Sequence, residues 1–334
     1  MDLTFSAIAD DASGHAWQGV FQRAWPAYRQ WYVRDGSLAR PSFLACRRAL
    51  ELHMPEFVPR WVQLVQLAGG GDIAARFLSL WCPPAYDSAC SQAVWPGEEP
   101  LLVRNYDYSS KLFDALILHT QWGPRRVLGT SDCLVGLVDG INDHGLALSL
   151  TFGGRRVVGT GFGVPIVLRY ILETCSTTAE AAAVLARIPT HMAYNVTVLD
   201  ATGARVTAHL SPDRPALVTA APLATNHQPG GEINDHIYQS ATIEREHFLM
   251  RRLTHCQESQ EKFTSAFLRP PLFSLAYERD RGTLYTAAFR PRQRTLTYLW
   301  PHVEWTLGLD QFEPGARRIH YPVAHADGAP ALHA

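Results

Sequence analysis

Of the six cysteines in this chain, Cys90 is the one whose neighbours suit a nucleophile. The small residues Ser88 and Ala89 precede it and Ser91 follows it. The turn Pro96-Gly97-Glu98-Glu99-Pro100 predicts a hairpin, and its return strand carries Arg104-Asn105-Tyr106-Asp107 to a level opposite the cysteine. An arginine there lowers a thiol pKa, and a carboxylate there anchors a cationic amine. Arg104 and Asp107 have opposite parity on a pleated strand, so both reach the cysteine only if the strand ends or bulges between them. The plainer alternative is a small buried thiol beside an ion pair on an edge strand.

Other chemistries find little support. No phosphate-binding glycine loop, dinucleotide fingerprint, HExxH pair or GxSxG elbow stands at a usable position. The glycines from Gly153 to Gly163 read as a mobile loop. His227 and His236 flank a Pro-Gly-Gly turn, with no Cys or His at metal-ligand spacing. The cysteines lack CxxC spacing and framework density, which argues against a zinc ribbon or a disulfide scaffold. No metal and no cofactor is expected.

The elements that must position Cys90 change character near residue 85. Before it the periodicity is helical: Phe21, Trp25, Tyr28 and Tyr32 share a face, Val58, Trp61, Val62 and Val65 form a second stripe, and Ile73 to Trp81 a third. After Pro84 hairpins follow one another. They are Ala93–Trp95 with Leu101–Val103, Leu134–Val138 with Leu146–Phe152, Asn195–Leu199 with Arg205–Leu210, and Leu284–Phe289 with Thr295–Trp300. Helices are predicted around Val167–Thr174, from Thr178 to about Ile188, and from about Ser240 to Leu253. Hairpins with a few helices and no strand–helix alternation predict α+β layers in place of a doubly wound sheet.

Composition agrees with one sizeable core: hydrophobic residues make up 47% of the 334 and charged residues 18%. Thirty basic against 31 acidic residues leave a net charge of −1, no footprint for nucleic acid or an anionic membrane. The N-terminus lacks a basic, apolar leader, and no uncharged apolar run is long enough to span a bilayer. A cytoplasmic protein with reduced thiols is expected, ending in a loose tail over residues 323–334.

Five motifs in order then resemble one family. Ala89-Cys90-Ser91 resembles a self-cleavage junction, and Arg104-Asn105-Tyr106-Asp107 an RNxD strand. Gly140-Ile141-Asn142-Asp143-His144-Gly145-Leu146 resembles a GxNxxGL turn, Thr225-Asn226-His227 a TNH segment, and Ser240 with Arg245 a Ser-then-Arg helix start. Together, over about residues 82–300, they resemble the cysteine-type N-terminal-nucleophile (Ntn) hydrolases, in particular the isopenicillin-N acyltransferase (acyl-CoA:6-aminopenicillanate acyltransferase) family. Acid ceramidase, bile salt hydrolase and penicillin V acylase are more distant relatives. The junction carries Ala89 where acyltransferase relatives commonly have glycine.

The resemblance implies a four-layer αββα sandwich preceded by an N-terminal helical segment. It also implies self-cleavage between Ala89 and Cys90 into a segment of residues 1–89 and a catalytic domain of residues 90–334 that stay associated. Cys90 is then both nucleophile and, through its α-amine, base; Asp107 holds that amine, Arg104 favours the thiolate, and Asn226 donates to the oxyanion. Asn142 is a second donor or positions the amine, unless it is simply an asparagine suited to a glycine-bracketed turn. Arg245 shares a stripe with Leu249 and Leu253, so it faces the site, or else it is a surface arginine on the first helical turn. The implied substrate is a small acyl amide or acyl thioester. Two alternatives stay open: a papain-like thiol hydrolase pairing Cys90 with His227, and an Ntn scaffold kept as a binding protein.

Overall fold

The computed structural model describes residues 1–86, 89–230, 240–254, 258–279 and 281–322. His236, Cys256 and the C-terminal tail lie outside the described residues. The chain opens with a strand that the sequence did not announce, β1 (Asp2–Asp10), and the expected helical segment follows. It comprises α1 (His15–Tyr32), α2 (Phe43–His53), α3 (Val58–Leu67) and α4 (Asp72–Leu78). The Asp10 carboxylate accepts the backbone N–H groups of Ala16 and Trp17 at 3.0 and 3.2 Å, supplying at the start of α1 the acceptor that Gly14 cannot offer.

Six strands come next: β2 (Ala89–Val94), β3 (Leu102–Asp107), β4 (Leu116–Thr120), β5 (Val127–Asp132), β6 (Gly136–Asn142) and β7 (Ala147–Phe152). Two helices, α5 (Val164–Thr174) and α6 (Thr178–Arg187), lead to β8 (Tyr194–Leu199), β9 (Arg205–Ser211), β10 (Arg214–Thr219) and the short β11 (Leu223–Ala224). Thr177 and Glu180 close a capping box that sets the start of α6. The chain continues through α7 (Thr242–Thr254), α8 (Gln260–Ala266), β12 (Thr283–Arg290), β13 (Thr295–Trp300), β14 (Val303–Gly308) and β15 (Gly315–His320).

Nine strands form one sheet in the order β10-β9-β8-β7-β6-β5-β4-β1-β15, and six form a second, β11-β2-β3-β12-β13-β14. The sheets face each other. Gln92 on β2 reaches Thr197 on β8 at 2.9 Å, and Thr130 on β5 meets Tyr298 on β13 at 2.8 Å. α5 and α6 cover the far side of the larger sheet. Leu249 of α7 and Phe263 of α8 pack with Phe267 and Leu272 on Trp95, Leu101 and Val103 of the smaller one. The result is the expected α+β sandwich of four layers, αββα. β3, β6, β7 and β8 are buried at every residue, as covered sheets require. Among the described residues no helix is long and apolar enough to cross a membrane.

Candidate active site

The β2–β3 register sets the site. Cys90 lies opposite Tyr106, Gln92 opposite Arg104, and Ala89 opposite Asp107. Alternation therefore puts Cys90, Gln92, Arg104 and Tyr106 on the face between the sheets, and Ser91 and Asp107 on the face toward α7. The parity conflict between Arg104 and Asp107 is not removed; each serves a different side of the cysteine. β3 ends at Asp107, where β12 carries an extra residue between the pairs Thr283–Asp107 and Tyr285–Tyr106.

On the inner face Arg104 Nη2 donates to Cys90 Sγ at 3.3 Å, with both side chains buried. The guanidinium is aimed by Asp139 Oδ2 at 2.9 Å and the Val138 carbonyl at 2.8 Å, and lies 4.7 Å over the Tyr106 ring. Asp139 Oδ2 also accepts the Tyr285 hydroxyl at 2.6 Å. Burial works against the Arg104 charge, but Tyr285, the Cys90 thiol and Asp139 outweigh it and hold the pKa above the ordinary arginine value. Arg104 thus stays cationic beside the sulfur.

On the other face Arg245 gathers the backbone of the cysteine. Its Nη1 donates to the Cys90 carbonyl at 2.6 Å and to Ser91 Oγ at 2.7 Å, its Nη2 to Asn226 Oδ1 at 2.6 Å, and its Nε to the Ser240 carbonyl at 2.9 Å. The guanidinium therefore points inward along the Leu249 stripe and is only 3% exposed. Asn226 Oδ1 also accepts the Cys90 backbone N–H at 2.8 Å, and its Nδ2 donates to the Phe152 carbonyl at 3.1 Å. The Thr242 hydroxyl fixes the Asn226 backbone by accepting its N–H at 2.7 Å. Asp107 accepts from Thr283 Oγ1 at 2.6 Å and lies 3.8 Å from Arg245. Burial lifts its carboxyl to about 6 against the pull of Arg245 and Thr283.

Five of the six expected residues, Cys90, Arg104, Asp107, Asn226 and Arg245, thus form one cluster. Asn142 does not join it. Its Nδ2 donates to the Leu172 and Cys175 carbonyls, and its Oδ1 accepts the His144 and Leu146 N–H groups. All its capacity goes to shaping the turn and closing the end of α5. His227 stands apart too: Nδ1 lies 3.0 Å from the Thr242 hydroxyl and Nε2 3.3 Å from Glu246, so neither ring nitrogen is directed at the thiol. The Gly153-Gly154 stretch, read from sequence as a mobile loop, fits closely instead. Gly154 has φ +78°, and a Cβ there would stand 2.3 Å from the Asn226 carbonyl oxygen.

Sequence reasoning passed over Asp139, Thr283 and Thr242, which orient Arg104, Asp107 and Asn226. Asp139 alone left a trace, as a single acid inside the apolar run Gly136–Ile141.

A buried cysteine near the head of a strand between the layers of an αββα sandwich is the arrangement that the resemblance implied. The family model of acyl-coenzyme A:6-aminopenicillanic acid acyl-transferase matches residues 95–305, well over half of the chain, and the chain belongs to that family. Cys90 lies five positions before the matched span. No curated protein matches the sequence significantly. Among solved structures, the chain is similar to a mutant of the conjugated bile acid hydrolase from Clostridium perfringens, with 12% identity, TM-score 0.47, and coverage of 71% of this chain and 100% of that one. It is similar to penicillin V acylase from Agrobacterium tumefaciens, with 12% identity, TM-score 0.45, and coverage of 66% and 87%. It is also similar to the Caenorhabditis elegans ortholog of N-acylethanolamine-hydrolyzing acid amidase, with 15% identity, TM-score 0.42, and coverage of 61% and 93%.

Proposed function

We propose that the chain is a self-processing Ntn amidohydrolase or acyltransferase that cuts itself between Ala89 and Cys90 and then works through an acyl-cysteine. The observation that carries this reading is the grip on one residue: Asn226 holds the Cys90 nitrogen, Arg245 its carbonyl and Arg104 its sulfur. A residue that acted only through its side chain would not need its backbone N–H held by a buried amide and its carbonyl by a buried guanidinium.

In the precursor, Cys90 Sγ attacks the Ala89 carbonyl carbon and the peptide C–N bond breaks, leaving a thioester and a free α-amine. Water then hydrolyses the thioester, releasing the Ala89 carboxylate and the thiol. Cleavage is activation because an amide nitrogen is not basic, whereas a free α-amine titrates near ~7.7–8. In the mature enzyme that amine takes the thiol proton as the sulfur adds to the substrate carbonyl. The proton then passes to the departing amine, and water or an acceptor amine resolves the acyl-cysteine. Asp107, opposite Ala89 at the strand end, is placed to hold the ammonium form, and the Asn226 amide supplies an oxyanion donor. The bonds of both His227 ring nitrogens favour this reading over a papain-like pairing.

Purified wild-type protein analysed by intact mass should give two species. Dividing 37.2 kDa at residue 89 predicts about 10 and about 27 kDa, the larger beginning Cys-Ser-Gln-Ala. Cys90→Ala should remain one chain. A wild type that stays whole yet hydrolyses amides would remove the α-amine from the mechanism; one that stays whole and only binds acyl compounds would leave a binding scaffold.

A further inference from the structure

Asn226 lies two residues beyond Ala224, where the pairing of β11 with β2 ends, and from there side chains fasten the segment. Asn195 of β8, fully buried, makes the most of these links. Its Nδ2 donates to the Thr225 carbonyl at 2.9 Å and to the His227 carbonyl at 3.0 Å, and lies 3.1 Å from the Thr151 hydroxyl. Those two carbonyls belong to the residues on either side of Asn226. Thr151 Oγ1 of β7 also donates to the Thr225 carbonyl, at 2.8 Å. Gln228 adds a further stitch, its Nε2 donating to the Tyr194 carbonyl at 3.1 Å and the Leu210 carbonyl at 2.9 Å. Residues 225–228 are thus sewn onto β8 and β9 by two buried amides.

The partners also settle which way the Asn195 amide points. Carbonyls only accept, so the NH2 end faces Thr225 and His227 and Oδ1 faces β9. There His209, the register partner of Asn195, brings Nδ1 to 2.9 Å of Oδ1, so that ring nitrogen carries a proton. Burial first, then the charges of Arg214 and His227, lower the His209 pKa to about 4, and the neutral ring places its one N–H on Asn195. Resting on the self-processing reading above, we propose that Asn195 is a positioning residue for the reaction at Cys90: it holds the Asn226 amide in line with the cysteine. Asn195 touches no reacting atom itself. A displaced Asn226 would lose both of its tasks together, since its Oδ1 accepts the Cys90 N–H and its Nδ2 is the donor assigned to the oxyanion.

Asn195→Asp keeps the shape of the side chain and replaces its two donors by an acceptor. In uncut Cys90→Ala, hydrogen exchange resolved to single residues reads the backbone N–H of residue 90, which Asn226 Oδ1 accepts. Adding Asn195→Asp should speed that exchange by about fivefold or more and leave the N–H groups of β8 and β9 as protected as before. In cell-free translation of the full chain, Asn195→Asp alone should slow release of the large fragment by about tenfold or more. Asn195→Ser, too short to reach the two carbonyls, carries the same expectations if Asn195→Asp does not fold. Unchanged exchange at residue 90, or processing at the wild-type rate, overturns the proposal and leaves the self-processing reading standing. Exchange that rises across β8 and β9 alike also overturns it, since Asn195 would then serve the sheet and not the site. Faster exchange at residue 90, in a chain whose wild type never cuts itself, upholds the positioning of Asn226 and sinks the self-processing reading alone.

Discussion

Asp132 is held where its ionised form is disfavoured, and that has a consequence for stability. Its folded pKa of about 7 stands above the ordinary 3.8 because of burial and the charge of Asp114. A raised carboxyl pKa means that the associated stability is fully present below 3.8 and is lost as pH climbs through 7, because the unfolded chain ionises first. Removing the charge should restore it. Asp132→Asn, made in the uncut Cys90→Ala background, should raise the melting temperature at pH 8 by about 5 °C, the equivalent of ~2–4 kcal/mol, and leave it unchanged near pH 3.5. An unchanged or lower value at pH 8 in differential scanning fluorimetry would show that the buried carboxyl is not strained. Local spacing with a chemical reason for the residue type singled out Cys90, Arg104 and Asp107, the family resemblance added Asn226 and Arg245, and the fold brings the five together. Asn142 sat in an equally good pattern, but its neighbours' backbone groups claim its side chain. Asp132 was not legible and Asp139 left only the trace of an acid in an apolar run, since what makes them matter is the strands they face across the fold.

At the scale of elements, the hairpins and most helices were readable from turn residues and apolar spacing. β2 with β3, β8 with β9 and β12 with β13 pair as the turns between them predicted. β1, β4, β5, β10, β11, β14 and β15 were missed for different reasons. β5 is buried on both faces and shows no alternation, and β1 and β15 pair across almost the whole chain, a contact no local window contains. The glycine stretch after β7 was misread because composition reports flexibility in isolation, whereas here the segment packs against the Asn226 backbone. That close approach is testable. At Gly154 an added methyl meets the Asn226 carbonyl oxygen at 2.3 Å and φ is +78°, while at Gly36, with φ +87°, it meets nothing within 4 Å. Gly36→Ala should cost only the backbone term of about 1 kcal/mol. Gly154→Ala should cost at least about 2 kcal/mol and slow cleavage at Ala89/Cys90, since it displaces the residue holding the Cys90 nitrogen. Equal melting temperatures and equal processing rates for the two variants would separate Gly154 from the site.

For the whole molecule, the important fact is that residues 1–89 are woven into the body. β1 lies inside the nine-stranded sheet, parallel to β4 on one side and antiparallel to β15 on the other. Behind it, Trp122 of the body is sandwiched between Arg60 of the leading segment, 4.3 Å from its ring, and Arg169 of α5, 4.2 Å from it. Its indole N–H donates to Asp10 at 2.7 Å, and Asp10 pairs with Arg60 across 3.5 Å. Cutting the chain at Ala89/Cys90 breaks none of these contacts, so the two fragments should elute as one species in native size exclusion and separate only under denaturing conditions. Withholding the segment should be far more damaging. Without β1, both β4 and β15 become unpaired edges and the Trp122 cluster loses two of its charges, a surface prone to aggregation. Residues 90–334 expressed alone should therefore be insoluble, and co-expression with residues 1–89 as a separate chain should recover a soluble complex that melts close to the processed protein. A body that is soluble alone and melts at the same temperature would mean that the leading segment is an appendage and that β1 contributes little to the sheet.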